Sequence, residues 1–159
     1  MKYFLLDKII SFEKGISAKA VKCISYSDEI LHDHFPDFPV MPGALLVEAS
    51  AQLGSFLFEM SINEKENKTI RRSLLVQINK AKFHRFAEPG DKIILSAELI
   101  DLSISSAHCK VLLEVEKEKV ASMMLTLVSR NIQSESIHDQ RRRIYEVWTR
   151  NLNPKPDIV

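Results

Sequence analysis

The chain has 159 residues, 45% of them hydrophobic and 27% charged, with a formal net charge of +1. This length supports one domain with a real core, and the near-neutral balance provides no global attraction to nucleic acid or a membrane surface. Two cysteines, Cys23 and Cys109, make no disulfide framework and read as reduced thiols of a cytoplasmic protein.

Residues 1–10 hold an apolar run interrupted by Asp7 and Lys8, without a basic leader or a small-residue cleavage site, so no signal peptide is read there. Residues 3–10 predict a short strand or a turn leading into one. Gly15 supplies a turn. Residues 16–25 alternate and are rich in Val, Ile and Ala, which predicts a strand. Pro36, Pro39 and Pro42 each remove a backbone donor and bar a helix, so residues 34–43 form a loop. Residues 43–60, rich in Ala and Leu and free of proline, predict a helix that is apolar on nearly every face and therefore buried. Its apolar stretch, residues 43–58, is too short for a bilayer and carries Glu48 and Gln52, so it does not read as a membrane span. Residues 63–72 are a polar loop. Strands are predicted at 73–78, 81–85, 92–102, 107–116 and 120–129, with Pro89-Gly90-Asp91 as a turn signal. Residues 134–151 carry Ile137, Ile144, Val147 and Trp148 among many charges and predict an amphipathic helical tail. Pro154 and Pro156 make residues 153–159 a loose end. Strands, one buried helix and a further run of strands argue for an α+β fold, an antiparallel sheet wrapped around that helix. The domain is expected to span residues 1–131, with the tail at 132–159.

Three features of this frame can carry chemistry. Glu48 is the one acidic residue between Gly43 and Phe58, among Leu45, Leu46, Val47, Ala49 and Ala51. A carboxylate in such company reaches a partner or is held protonated by desolvation, which suits an acid; the alternative is a side chain reaching water from a helix edge. His34 precedes the rigid proline loop that leads to Glu48. Pro42-Gly43 opens the helix, whose first N–H groups lack internal partners and carry partial positive charge. With no side chain at Gly43, a thioester carbonyl oxygen can approach them; the alternative is a glycine that serves only a tight turn. His32, His84, His108 and His138 have no such surroundings and read as surface or sheet residues. No Cys, His or carboxylate set has metal-ligand spacing.

Together these residues form a longer pattern. The stretch from His34-Phe35-Pro36 through Pro39, Pro42-Gly43 and Glu48-Ala49-Ser50-Ala51-Gln52 closely resembles the signature of the FabZ-type β-hydroxyacyl-acyl-carrier-protein dehydratases: H-F-P, then P-x-x-P-G, then E-A-x-A-Q, without a gap. Tyr3-Phe4-Leu5-Leu6-Asp7-Lys8-Ile9 is similar to the start of that family. Ala81-Lys82-Phe83-His84-Arg85 with Pro89-Gly90-Asp91 is similar to its K-F-[KR]-R…P-G-D strand and turn. The resemblance implies the hotdog fold, a curved antiparallel sheet around one long helix. It also implies dimers, often assembled into hexamers, with His from one chain and Glu from the other in each active site. On that basis His34 is the expected base at C2 of a 3-hydroxyacyl thioester on acyl-carrier protein, and Glu48 the acid for the departing hydroxyl. Gly43 holds the carbonyl oxygen, and Gln52 orients Glu48 or a water. No cofactor or metal is expected. Glutamate at position 48, where the FabA type carries Asp, favours dehydration without isomerisation.

The sequence departs from the family at Asp33, Gln77, Asn79 and Phe86, and at Glu116-Lys117-Glu118 in place of an Asp-Gly turn. None of these removes a proposed catalytic group; Gln77 and Phe86 bear on the acyl tunnel. Arg141-Arg142-Arg143 reads either as a solvated helix face or as a docking patch for an acidic carrier protein. The rival functions are a hotdog thioesterase, which has no need of His34, and a non-catalytic acyl-binding subunit.

Overall fold

The computed structural model describes residues 4–66 and 69–159. Tyr3, at the start of the expected first strand, and Asn67 and Lys68, within the expected polar loop, lie outside the described residues.

Six strands form one antiparallel sheet in the order β1-β2-β4-β5-β6-β3. They are β1 (Lys8–Glu13), β2 (Ser17–Cys23), β3 (Arg71–Phe83), β4 (Lys92–Leu102), β5 (Ser106–Val115) and β6 (Glu118–Asn131). Helix α2 (Gly43–Ile62) lies against this sheet, with α1 (Glu29–Asp33) before it and α3 (Glu135–Thr149) at the far end of the chain. This is the hotdog arrangement of the α+β class. The physical cause is legible in α2. Fourteen of its residues are buried, among them Leu53, Phe56, Leu57 and Phe58, so nearly the whole circumference must be covered. Gly54 shows how closely it sits: a Cβ there would lie 3.1 Å from Leu127 and 3.3 Å from the Cys109 sulfur. By length and composition α2 is apolar enough to cross a bilayer, but most of it is buried within the fold, as in the core helix of a globular domain.

The strands present alternate residues to that helix. Ile93, Leu95 and Ala97 of β4, Ala107, Cys109, Val111 and Leu113 of β5, and Ala121, Met123, Leu125 and Leu127 of β6 are buried, the period of two that one covered sheet face requires.

Four differences from expectation have physical causes. The strands expected at 73–78 and 81–85 are one strand, β3, because the polar break at Asn79-Lys80 is absorbed as irregularities of register at Leu75/Gln77 and Ile78/Lys80. The loop before α2 is preceded by a helical turn, α1, anchored by buried Leu31. The hairpin between β5 and β6 places Glu116 at φ 50° and Lys117 at φ 70°, the left-handed pair that Asn-Gly or Asp-Gly usually supplies. Finally, α3 buries His138, Tyr145, Trp148 and Thr149, whereas Ile137 and Val147 of the expected apolar stripe are exposed.

The helix α3 is held by a buried charge cluster. Arg72 donates from Nη1 to Glu59 at 3.0 Å, and the Ser73 N–H donates to the same carboxylate at 2.8 Å. Arg72 Nε donates to His138 Nδ1 at 3.0 Å, and His138 Nε2 donates to the Ile132 carbonyl at 2.7 Å. His138 is therefore a buried member of this cluster and not a surface or sheet residue; its ring must remain neutral at Nδ1 to accept from a cation. The terminal residues 153–159 have no regular structure, yet Arg72 Nη2 donates to the Val159 carbonyl at 3.2 Å, so the end is tethered.

Candidate active site

His34 ends α1 at its C-cap. Its Nδ1 lies 3.0 Å from the Val40 carbonyl. A carbonyl only accepts, so Nδ1 carries the proton and Nε2 is left as the basic nitrogen. The loop that supplies this carbonyl is pinned from three sides. The Val40 N–H donates back to the His34 carbonyl at 2.8 Å, the Phe35 and Phe38 N–H groups exchange bonds with each other's carbonyls, and the Met41 N–H donates to Ala87 at 2.7 Å. Three prolines in this stretch cannot donate, and the remaining donors close the loop on itself.

The Ala87 carbonyl is placed by the Pro89-Gly90-Asp91 turn. Gly90 adopts φ +99°, and Asp91 accepts from Arg85 Nη1 at 2.9 Å and from the Glu88 N–H at 3.0 Å. That hydrogen bond with Asp91 holds the Arg85 guanidinium above its ordinary pKa, against the opposing pull of burial. The second family-like stretch thus buttresses the loop behind His34, a role the sequence reading had not assigned; the charge pair Arg85/Asp91 across a Pro-Gly turn was the available signal.

Glu48 lies one and a half turns into α2 and is half-buried. Gln52, one turn on and buried, donates from Nε2 to Glu48 at 2.9 Å and accepts the Leu5 N–H at 3.0 Å. The amide can serve both only in one orientation, so it fixes the carboxylate. Gly43 occupies the first turn of α2, where no carbonyl of the helix reaches its N–H. The space a side chain would fill is taken by the Phe83 ring, which would lie 3.0 Å from a Cβ at this position, so this glycine also serves a close aromatic contact.

Within one chain, the structure brings Glu48 and Gln52 together on α2, with Gly43 at the start of the same helix and His34 in the loop before it. No hydrogen bond or ion pair among the described residues joins His34 to Glu48. A cavity of about 160 Å³ beside Glu48 is lined by Gln52, Phe4, Ile137, Gln140, Arg141 and Trp148. Phe35 stacks on the His34 ring at 4.3 Å, and further along the loop Phe38 meets Phe86 edge-on at 5.4 Å. Phe35, Phe38 and Phe86 are exposed, as are Leu74, Val76 and Ile78 on the edge strand β3.

The arginine run does not form one basic face. Arg142 pairs with Asp139 at 3.0 Å, Arg143 is exposed, and Arg141 is half-buried. Burial pulls the Arg141 guanidinium down, but Tyr145, Glu59 and Glu48 outweigh it and hold it above the ordinary range. His32, His84 and His108 are exposed, and among the described residues no cluster of His, Cys, Asp and Glu could hold a metal ion.

The FabA-like domain family model matches residues 1–124. A protein of Caldicellulosiruptor saccharolyticus named 3-hydroxyacyl-acyl-carrier-protein dehydratase FabZ is 36% identical over 118 residues, 74% of this chain and 81% of the relative. The same name is carried by a relative from Wolbachia pipientis, 32% identical over 129 residues, 81% of this chain and 87% of its own. A solved thioesterase structure from Haemophilus influenzae shares the fold with a TM-score of 0.60 at 20% identity, covering 80% of each chain. The extended motif, the pinned His34 loop and the family match over most of the chain agree, and the chain belongs to the FabA-like domain family.

Proposed function

We propose that this protein is a dehydratase that removes water from (3R)-3-hydroxyacyl thioesters on acyl-carrier protein, giving trans-2-enoyl thioesters in fatty-acid or related acyl-chain synthesis. The observation that carries the reading is the His34–Val40 hydrogen bond, which leaves Nε2 as an oriented base. His34 takes a proton from C2, and negative charge passes to the thioester carbonyl, held by the Gly43 N–H. The C3–O bond breaks as Glu48 protonates the departing oxygen, and water leaves. Gln52 keeps the Glu48 carboxyl in position. These steps need no metal, nucleotide or redox cofactor.

The catalytic pair comes from two protomers, His34 of one and Glu48 of the other, in a dimer joined along β3. Support for this assembly is the row of exposed apolar residues Leu74, Val76 and Ile78 on the edge strand, a poor edge to leave unpaired. Dimers of this kind can assemble further into hexamers. Residues 1–131 form the dehydratase domain and 132–159 its helical extension. The cytoplasm is its place, in keeping with two unpaired cysteines.

The test follows enoyl absorbance and free thiol together, using a 3-hydroxyacyl thioester on acyl-carrier protein. Wild type should form the enoyl product without releasing thiol, and His34→Ala and Glu48→Ala should each lose about 100-fold or more of that rate. Thiol release would mark a thioesterase instead, and no reaction would leave an acyl-binding subunit.

A further inference from the structure

The wall of the Glu48 cavity opposite α2 is built by residues beyond the family match, which ends at residue 124. Ile137, Gln140, Arg141 and Trp148 of α3 share that cavity with Glu48 and Gln52. Arg141 is the unusual member. Among the described residues no carboxylate comes within ion-pair distance of it, and its Cζ lies 6.0 Å from the centroid of the Tyr145 ring. A guanidinium has five N–H donors and stays charged. Tyr145 cannot occupy them all with one hydroxyl.

We infer that Arg141 is a catalytic residue of the Glu48 site, one that stabilises the oxygen leaving C3. The inference rests on the dehydratase reading above. That oxygen must lie within hydrogen-bond reach of Glu48, and in a cavity of about 160 Å³ it then has Arg141 as a neighbour. As the C3–O bond stretches, the oxygen gains negative charge before the Glu48 proton has fully transferred. A fixed cation beside it lowers the energy of that charge without reorganising at the moment of reaction. Arg141 gives up no proton: the C2 proton goes to His34, the oxygen takes its proton from Glu48, and water departs. Tyr145 of its own helix and Glu59 and Glu48 of α2 are the groups whose charge acts on Arg141; Arg72 joins Glu59.

This role differs from a merely structural one in what restores it. Steady-state rates with a carrier-linked 3-hydroxyacyl thioester would be measured for wild type, Arg141→Lys, Arg141→Gln, Arg141→Ala with and without added guanidinium ion, and Arg143→Gln. Arg141→Gln should lose about 10- to 100-fold in kcat, the scale of one lost transition-state donor or less, with KM changed by less than about threefold. Lysine should restore part of the rate, and millimolar guanidinium should restore part of the alanine variant. Arg143→Gln, at an exposed position outside the Glu48 cavity, should keep the wild-type kcat whether or not it changes KM for the carrier. Wild-type kcat in Arg141→Gln, or a loss that neither lysine nor guanidinium relieves, overturns the inference and leaves the dehydratase reading standing. An inactive wild type removes the dehydratase reading, and this inference with it.

Discussion

At the scale of single residues, Gln52 shows how much of a site can rest on one amide. It links the Leu5 N–H to the Glu48 carboxylate, so Gln52→Leu frees the carboxylate to rotate and leaves a backbone donor unpaired. The expected outcome is a fall of about 10-fold in kcat, with KM little changed and a loss of about 1–2 kcal/mol in stability by urea titration. The two thiols should separate just as clearly. Burial pushes Cys109 up to about 12, whereas Cys23 is exposed. A raised thiol pKa means that the reactive thiolate is scarce at any pH below that value. A thiol reagent at pH 8 should therefore titrate Cys23 in the native protein and reach Cys109 only after unfolding. The Glu48–Gln52 contact was legible, because a spacing of four puts both side chains on one helix face. His138 was not, since its place depends on Arg72, sixty-six positions away, and no local pattern encodes such a distance.

At the scale of elements, α2 was the most legible, because a helix apolar on all sides can only be buried. The strand β3 was read as two because bulges break the period of two without breaking the strand. The buried stripe of α3 was misplaced for a related reason: Tyr145 and His138 face a buried charge cluster, so the covered side of the helix is not its most apolar side. Two predictions belong here. Replacing Glu116-Lys117 by Asn-Gly suits the positive φ values of the hairpin and should stabilise the protein by about 1 kcal/mol, seen as a higher thermal midpoint. Glu59→Gln leaves Arg72 buried without its counter-ion and should destabilise by about 3–5 kcal/mol in the same assay.

At the scale of the whole molecule, the antiparallel sheet and the single enclosed helix followed from the succession of elements, whereas the strand order, with β3 at the far edge beside β6, rests on pairings distant in sequence. β3 carries the contact between protomers in the proposed dimer. Ile78→Lys, at an exposed position of the edge strand, should shift the protein toward monomer in sedimentation and lower activity in parallel. Mixing inactive His34→Ala and Glu48→Ala proteins after dissociation should restore about a quarter of wild-type activity, because half the reassembled dimers regain one intact site of two. Independent sites within each chain would restore none. Trp148 adds a practical consequence. It is the sole tryptophan of the chain, is almost wholly buried, and lines the cavity beside Glu48. The intrinsic fluorescence of the unlabelled protein therefore originates at the edge of the proposed active site, and an acyl group arriving there should be visible as a change in emission, without a dye or a coupled reaction.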